Sequence, residues 1–248
     1  MIGRLRSYIK RSLGAKSRSR ARRQRFKEWL AQHPGSTYGH FYVHDTYRSL
    51  QAGGPHATLG TSNVDEGTVR RRARNIVADL KRAGCTPQHV VVDYGCGSLW
   101  VGEALMAYLA PGNYVGLDVA DLFYKDGLAR LSAAFVASRK PVLRVIDEAS
   151  LAEARDRRPD FIFSAAVMQH VPPGDLAGYF SRIASMAGPH TRIEICAPVV
   201  LFPWTRWRNR HWHTRFSVAR ALAPLGYAAE YRTERRLMRM RGFSMVRR

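Results

Sequence analysis

Val90-Val91-Val92-Asp93-Tyr94-Gly95-Cys96-Gly97-Ser98-Leu99-Trp100 is the stretch whose reading decides the fold. Three apolar β-branched residues run into Asp-x-Gly-x-Gly, and a helical pattern begins directly after it. Glycines suit such a corner, because the chain must turn sharply and let a ligand approach its backbone with no side chain in the way. A dinucleotide fingerprint would carry a third glycine where Trp100 stands. No Gly-Lys-Ser/Thr follows, so the loop is not a phosphate-binding P-loop either.

Downstream, Tyr114-Val115-Gly116-Leu117-Asp118 reads as a second strand ending in a carboxylate 21 residues after Gly97. A carboxylate at that tip can accept hydrogen bonds from both hydroxyls of a ribose, with helix capping as its competing use. Asp147-Glu148 follows a third strand, where a carboxylate can accept from an adenine amino group. Phe161-Ile162-Phe163-Ser164-Ala165-Ala166-Val167-Met168-Gln169-His170-Val171 runs from a fourth strand into a helix-like turn. All four pieces fall at strand C-termini, the edge where open α/β sheets bind ligands.

The surrounding pattern alternates strand and helix, as a parallel sheet requires. Strands are expected at His89–Asp93, Asn113–Asp118, Pro141–Ile146, Asp160–Ser164 and Thr191–Ala197, with helices at about 100–109, 122–138, 150–156 and 173–187. Two more strands, about 227–234 and 242–247, read as a closing antiparallel hairpin. Upstream, Asp65 or Ser62 can cap a helix reaching Ala83, with Val69, Ala73, Ile76, Val77 and Leu80 on one face and Gly84 as its stop. Residues 36–64, rich in Gly, His and Tyr, read as loop. The expected architecture is a doubly wound α/β domain over 37–248, with a seven-stranded, mostly parallel sheet and a C-terminal antiparallel hairpin. A basic N-terminal helical extension over 1–36 precedes it.

These motifs together resemble the class I S-adenosylmethionine-dependent methyltransferases, in particular their small-molecule branch, over roughly residues 66–248. That family has an Asp/Glu-x-Gly-x-Gly loop, an acid ending strand two, an acid after strand three, and a His-containing stretch after strand four such as Gln169-His170-Val171 here. The resemblance implies S-adenosylmethionine as cofactor, held by Asp93, Gly95, Cys96, Gly97, Asp118, Val119, Asp147 and Ser164. Gly95 and Gly97 would lie along its methionine part, Asp118 on its ribose and Asp147 at its adenine. The segment after strand four lacks the Asn/Asp-Pro-Pro-Tyr/Phe signature of enzymes that methylate exocyclic base amines, which weakens a nucleic-acid substrate.

Methyl transfer to a hydroxyl needs a group to take its proton, and His170 is the candidate base, with packing against the cofactor as its alternative role. Tyr38, His40, Tyr42, His44, Asp45 and Tyr47, and the Trp/Arg/His-rich run Trp204–His213, are candidates for the acceptor pocket. The expected acceptor is a small molecule or a glycan- or lipid-linked one, methylated on oxygen; RNA methylation and non-catalytic cofactor binding are the alternatives. No metal is expected, since His211-x-His213 is only a pair.

The net charge of +21 is unevenly spread. Residues 1–36 and 203–248 each carry a balance of +10, and the stretch between them is nearly neutral. A neutral catalytic core with basic ends suits phosphate-rich partners. Ile2, Leu5, Ile9 and Leu13 form an apolar stripe among Arg4, Arg6, Lys10 and Arg11. Residues 1–34 therefore read either as an amphipathic helix on an anionic membrane surface or as a solvated basic tail, with RNA contact by Lys16–Arg25 as a third reading. No apolar run reaches membrane-spanning length, and charges interrupt any secretory signal. Three well-separated cysteines fit a reducing compartment, so a cytoplasmic protein is expected, with the inner membrane surface as its candidate docking place.

Overall fold

The computed structural model describes residues 21, 24–36, 38–51, 65–200, 213–237 and 240–248. In chain order the helices are α1 (24–32), α2 (Tyr38–Gln51), α3 (Glu66–Arg82), α4 (Trp100–Tyr108), α5 (Asp121–Leu128), α6 (Ala133–Arg139), α7 (Glu148–Asp156), α8 (Leu176–Ser185) and α9 (Arg215–Leu222). The strands are β1 (Val91–Tyr94), β2 (Tyr114–Asp118), β3 (Val142–Val145), β4 (Phe161–Ala165), β5 (Arg192–Cys196), β6 (Val199–Val200), β7 (His213–Thr214), β8 (Tyr227–Leu237) and β9 (Met240–Arg247).

Seven strands form one sheet in the order β3-β2-β1-β4-β5-β9-β8. The first five are parallel, and β9 joins β5 antiparallel, as does β8 to β9. Successive residues of a strand face opposite sides, so each central strand feeds two cores. Val91, Tyr114, Phe161 and Phe163 pack against α3 and α4. Val92, Tyr94, Val115, Leu117 and Ile162 pack against α7, α8 and α9 on the other face. The chain runs outward through β1, β2 and β3, then returns to β4 beside β1. The crevice at this reversal is where an α/β sheet takes its ligand.

The doubly wound sheet and closing hairpin match the expected fold. Asp65 caps α3, accepting from the Thr68 amide at 2.9 Å, and the expected apolar stripe from Val69 to Leu80 is buried. The expected helix over 122–138 is instead two helices, because the chain breaks after Leu128 and Ser132 caps a new one by accepting from the Phe135 amide.

The expectation of loop over 36–64 is corrected at Tyr38–Gln51, which is helical. Gly39, Thr46 and five aromatic or histidine residues among its first seven make it a poor intrinsic helix former. Tertiary packing decides instead. Phe41 and Tyr42 are buried, Phe26 and Trp29 of α1 pack against Phe41 with tilted rings, and Tyr42 meets Phe123 of α5 with ring centres 6.5 Å apart. The Tyr47 hydroxyl donates to Asp121, fixing α2 over the start of α5. Arg25 pairs with Asp45 at 3.1 Å, so α1 is tied to α2 across the boundary expected at residue 36.

The stripe Ile2–Leu13, the Gly53-Gly54-Pro55 segment and the run Trp204–Trp212 lie outside the described residues. Among the described residues no helix is long and apolar enough to cross a membrane.

Candidate active site

A cavity of about 380 Å³ opens over the C-terminal ends of β1, β2 and β4. Six of the sequence-derived residues line it: Asp93, Gly95, Cys96, Gly97, Asp118 and Val119, and His170 joins them from the turn after β4.

The glycine loop is anchored to β2. The amides of Gly95 and Cys96 both donate to the Leu117 carbonyl, at 2.7 and 3.0 Å, and the Gly97 amide donates to Asp118 Oδ2 at 2.7 Å. The loop passes into α4 through Leu99, whose left-handed φ of 58° costs on the order of 1 kcal/mol for a residue with a Cβ. No side chain caps α4, so its first amides are left without a side-chain acceptor.

Asp118 is buried, and its other oxygen accepts from the Val119 amide at 2.8 Å. A carboxylate has about four acceptor positions, so three backbone amides leave room for a ligand hydroxyl. Burial pushes the Asp118 carboxyl up to about 6, against the pull of the Gly97, Val119 and Ala120 amides. Beside it, Val119 is 44% exposed, an apolar side chain left uncovered in an otherwise packed strand end. Asp93 lies deeper. Burial raises its carboxyl to about 7, against the Tyr114 hydroxyl, which donates to it at 2.9 Å, and the nearby Asp118 charge raises it further. Burial also holds the Cys96 thiol well above its ordinary range, so it stays protonated.

Two expected residues are placed differently. The Asp147 carboxylate accepts from the Ser150 amide at 2.7 Å in a reciprocal cap of α7, and Ile146, rather than Asp147, lines the cavity. The Ser164 hydroxyl donates to the Tyr94 carbonyl at 2.7 Å, tying β4 to β1, and is not part of the cavity wall. Both side chains bond to the scaffold.

His170 ends the short 3₁₀ turn Met168–His170. Its ring centre lies 5.8 Å from that of Tyr42, and its Nε2 is 3.3 Å from Gln169 Nε2. A carboxamide nitrogen only donates, so with the carboxamide in this orientation His170 Nε2 is the acceptor there. Gln169 is buried in the cavity wall, and its Oε1 has no partner among the described residues. From behind, the buried His213 on β7 brackets the same turn, with Nε2 at 3.1 Å from both the Met168 and Val171 carbonyls. His213 is thus engaged with backbone through Nε2, while His211 lies outside the described residues.

Sequence reasoning missed Gln169, Arg72, Tyr179 and Arg182 as cavity residues. Arg72 follows Val69 on α3 by one helical step, and Arg182 follows Tyr179 on α8 likewise, so a helical wheel could have paired them but could not have aimed them. Of the expected acceptor-pocket residues, Tyr38 and Tyr42 do line the cavity, and α2 brings them there.

A family model described as a methyltransferase domain matches residues 68–246. That span is well over half of the chain, which therefore belongs to the methyltransferase-domain family, as a class I S-adenosylmethionine-dependent methyltransferase. Magnesium protoporphyrin IX methyltransferase from Synechocystis PCC 6803, crystallised with bound SAH, superposes with a TM-score of 0.53 at 20% identity, over 72% of this chain and 83% of that one. DesVI from Streptomyces venezuelae gives 0.53 at 15% identity, over 73% and 92%. The mitomycin 7-O-methyltransferase MmcR gives 0.53 at 14% identity, over 73% and 54%. At these identities the likeness speaks for the fold alone. No curated protein matches the sequence.

Proposed function

We propose that the chain methylates an oxygen of a small-molecule acceptor, with S-adenosylmethionine held by the glycine loop and Asp118 and with His170 as the base. The observation that carries this reading is the single cavity that joins Gly95, Gly97 and Asp118 to His170, Tyr38 and Tyr42. The residues fit the cofactor. Open space lies in front of Gly97, Asp118 keeps acceptor capacity for a ligand hydroxyl, and Val119, Ile146 and Val167 offer apolar surface to a purine. The orphaned Gln169 Oε1 needs a donor, which a bound ligand would bring.

The cofactor supplies a methyl group on a positively charged sulfur, which a nucleophile can take directly. The protein's work is then alignment and exclusion of water. Tyr38 and Tyr42 wall the acceptor side with aromatic surface. His170 accepts the proton that the acceptor hydroxyl gives up, its Nε2 lone pair passing from the Gln169 amide to the bound acceptor. The mitomycin 7-O-methyltransferase among the similar structures supports this choice of acceptor over a macromolecule.

Incubation with methyl-labelled cofactor and a fractionated extract tests the reading: label should enter the small-molecule fraction in an alkali-resistant ether or an alkali-labile ester. His170→Ala should then lower kcat by about 10²–10⁴ with cofactor affinity little changed, the span of lost general-base help. Label confined to RNA or protein would overturn the acceptor class.

A further inference from the structure

Trp100, the residue that breaks the dinucleotide pattern, has a specific partner. The Arg130 guanidinium lies over its indole, 3.5 Å from the ring centre, while Arg130 Nη2 donates to the Ser98 carbonyl. Arg130 Nη1 also sits 3.8 Å from Glu103 on α4, a carboxylate that Arg70 of α3 holds at 2.6 Å. Arg130 therefore touches the exit of the glycine loop, the first residue of α4 and the ion pair that ties α4 to α3.

The chain around Arg130 is shaped for this contact. A Cβ on Gly127 would lie 2.4 Å from the Ser98 carbonyl oxygen and 2.8 Å from Leu99 Cβ, so only glycine lets α5 come this close. The two halves of the loop are thus secured by different elements. Gly95, Cys96 and Gly97 hang from β2 through Leu117 and Asp118, whereas Ser98 to Trp100 lean on the end of α5. Ser98 and Trp100 both face the cavity. The left-handed Leu99 between them has no capping side chain to hold it.

We propose that Arg130 is a positioning residue of the cofactor site: it holds the exit of the glycine loop from outside the cavity and so sets the affinity for S-adenosylmethionine and its demethylated product. It touches no ligand itself. The proposal rests on the cofactor reading above and adds to it a residue that no glycine-loop motif contains.

Calorimetric titration with S-adenosylhomocysteine tests it without an acceptor, on the full chain as wild type, Arg130→Met, Arg130→Gln and Arg130→Lys, each melted without ligand. Arg130→Met should bind about tenfold more weakly, the scale of a lost charge-assisted hydrogen bond, at an unchanged melting temperature. Arg130→Lys keeps a cation over Trp100 and a donor for Ser98, and should recover most of that affinity, a rescue that a merely structural role would not show. Binding by Arg130→Met within twofold of wild type overturns the proposal, as does a loss that Lys leaves unrestored. If neither the Met nor the Gln variant folds, Arg130 is a stability residue and the proposal is equally overturned. Absence of binding by the wild type would instead sink the cofactor reading, and the proposal with it.

Discussion

The Val167 side chain occupies the space in front of Gly95: a Cβ built on Gly95 would lie 2.2 Å from Val167 Cγ2 and 3.2 Å from Cγ1. The loop after β1 and the turn after β4 therefore interlock across the switch point, and the position also holds φ at +89°. Gly95→Ala should weaken S-adenosylhomocysteine binding more than about tenfold, since a clash and a strained backbone add. Adding Val167→Ala should return only part of the loss, because it removes the clash and leaves the strain. Full recovery in the calorimetric titration would show that sterics alone matter.

Asp118 gives a pH signature. The proposed ribose contact uses the ionised carboxylate, whose pKa burial pushes up to about 6. Affinity for S-adenosylhomocysteine should be full above about pH 6 and fall below it, as the protonated acid gives up an acceptor position. Asp118→Ala should cost about 1.5–3 kcal/mol of binding at pH 7.5, and Asp118→Asn should flatten the profile. A wild-type affinity that is constant from about pH 8 to pH 5 would remove the ribose assignment.

Asp93 affects stability with a defined sign. Its carboxyl is raised to about 7 on folding, so between the unfolded value near 4 and about pH 7 the native state holds a proton that the unfolded chain has released. Its contribution is full below pH 4 and lost as pH rises through 7. An Asp93→Asn amide can still accept from Tyr114 and does not titrate. The melting temperature of Asp93→Asn relative to wild type should therefore climb from pH 5 to pH 8; a constant gap refutes the burial argument.

His213 has the opposite sign. Burial holds its pKa below the ordinary value, despite the Met168 and Val171 carbonyls that favour its charged form. The native state keeps it neutral, so its contribution is full above about pH 6.5 and is lost as pH falls below that. His213→Leu leaves two carbonyls without their donor and should cost about 1–3 kcal/mol in urea unfolding at pH 7.5. His213→Gln, which retains an N–H, should recover part of it.

The five parallel strands were legible with ends correct to within two residues, and β1, β2 and β4 most clearly, because buried parallel strands are largely apolar on both faces. The glycine loop and Asp118 were legible for a related reason: a sharp turn and a strand-tip carboxylate leave marks in residue type. α2 was not, since its helix exists through contacts with Phe26 and Phe123, far from it in sequence. Nor could sequence decide between ligand and scaffold for Asp147 and Ser164. Each has a local partner, the Ser150 amide and the Tyr94 carbonyl, that only coordinates reveal. Two-residue strands such as β6 and β7 carry no periodicity at all.

That small parallel pair has an evolutionary consequence. Val199 sits beside His213 and Val200 beside Thr214, so two strands separated by twelve residues of chain lie side by side. Loop-closure entropy grows only by about 0.6 kcal/mol per doubling of length, so the twelve residues between these anchors can be lengthened, shortened or exchanged at little thermodynamic cost. The glycine loop and Asp118 lie elsewhere in the chain, so the cofactor crevice can be inherited intact while these twelve residues change.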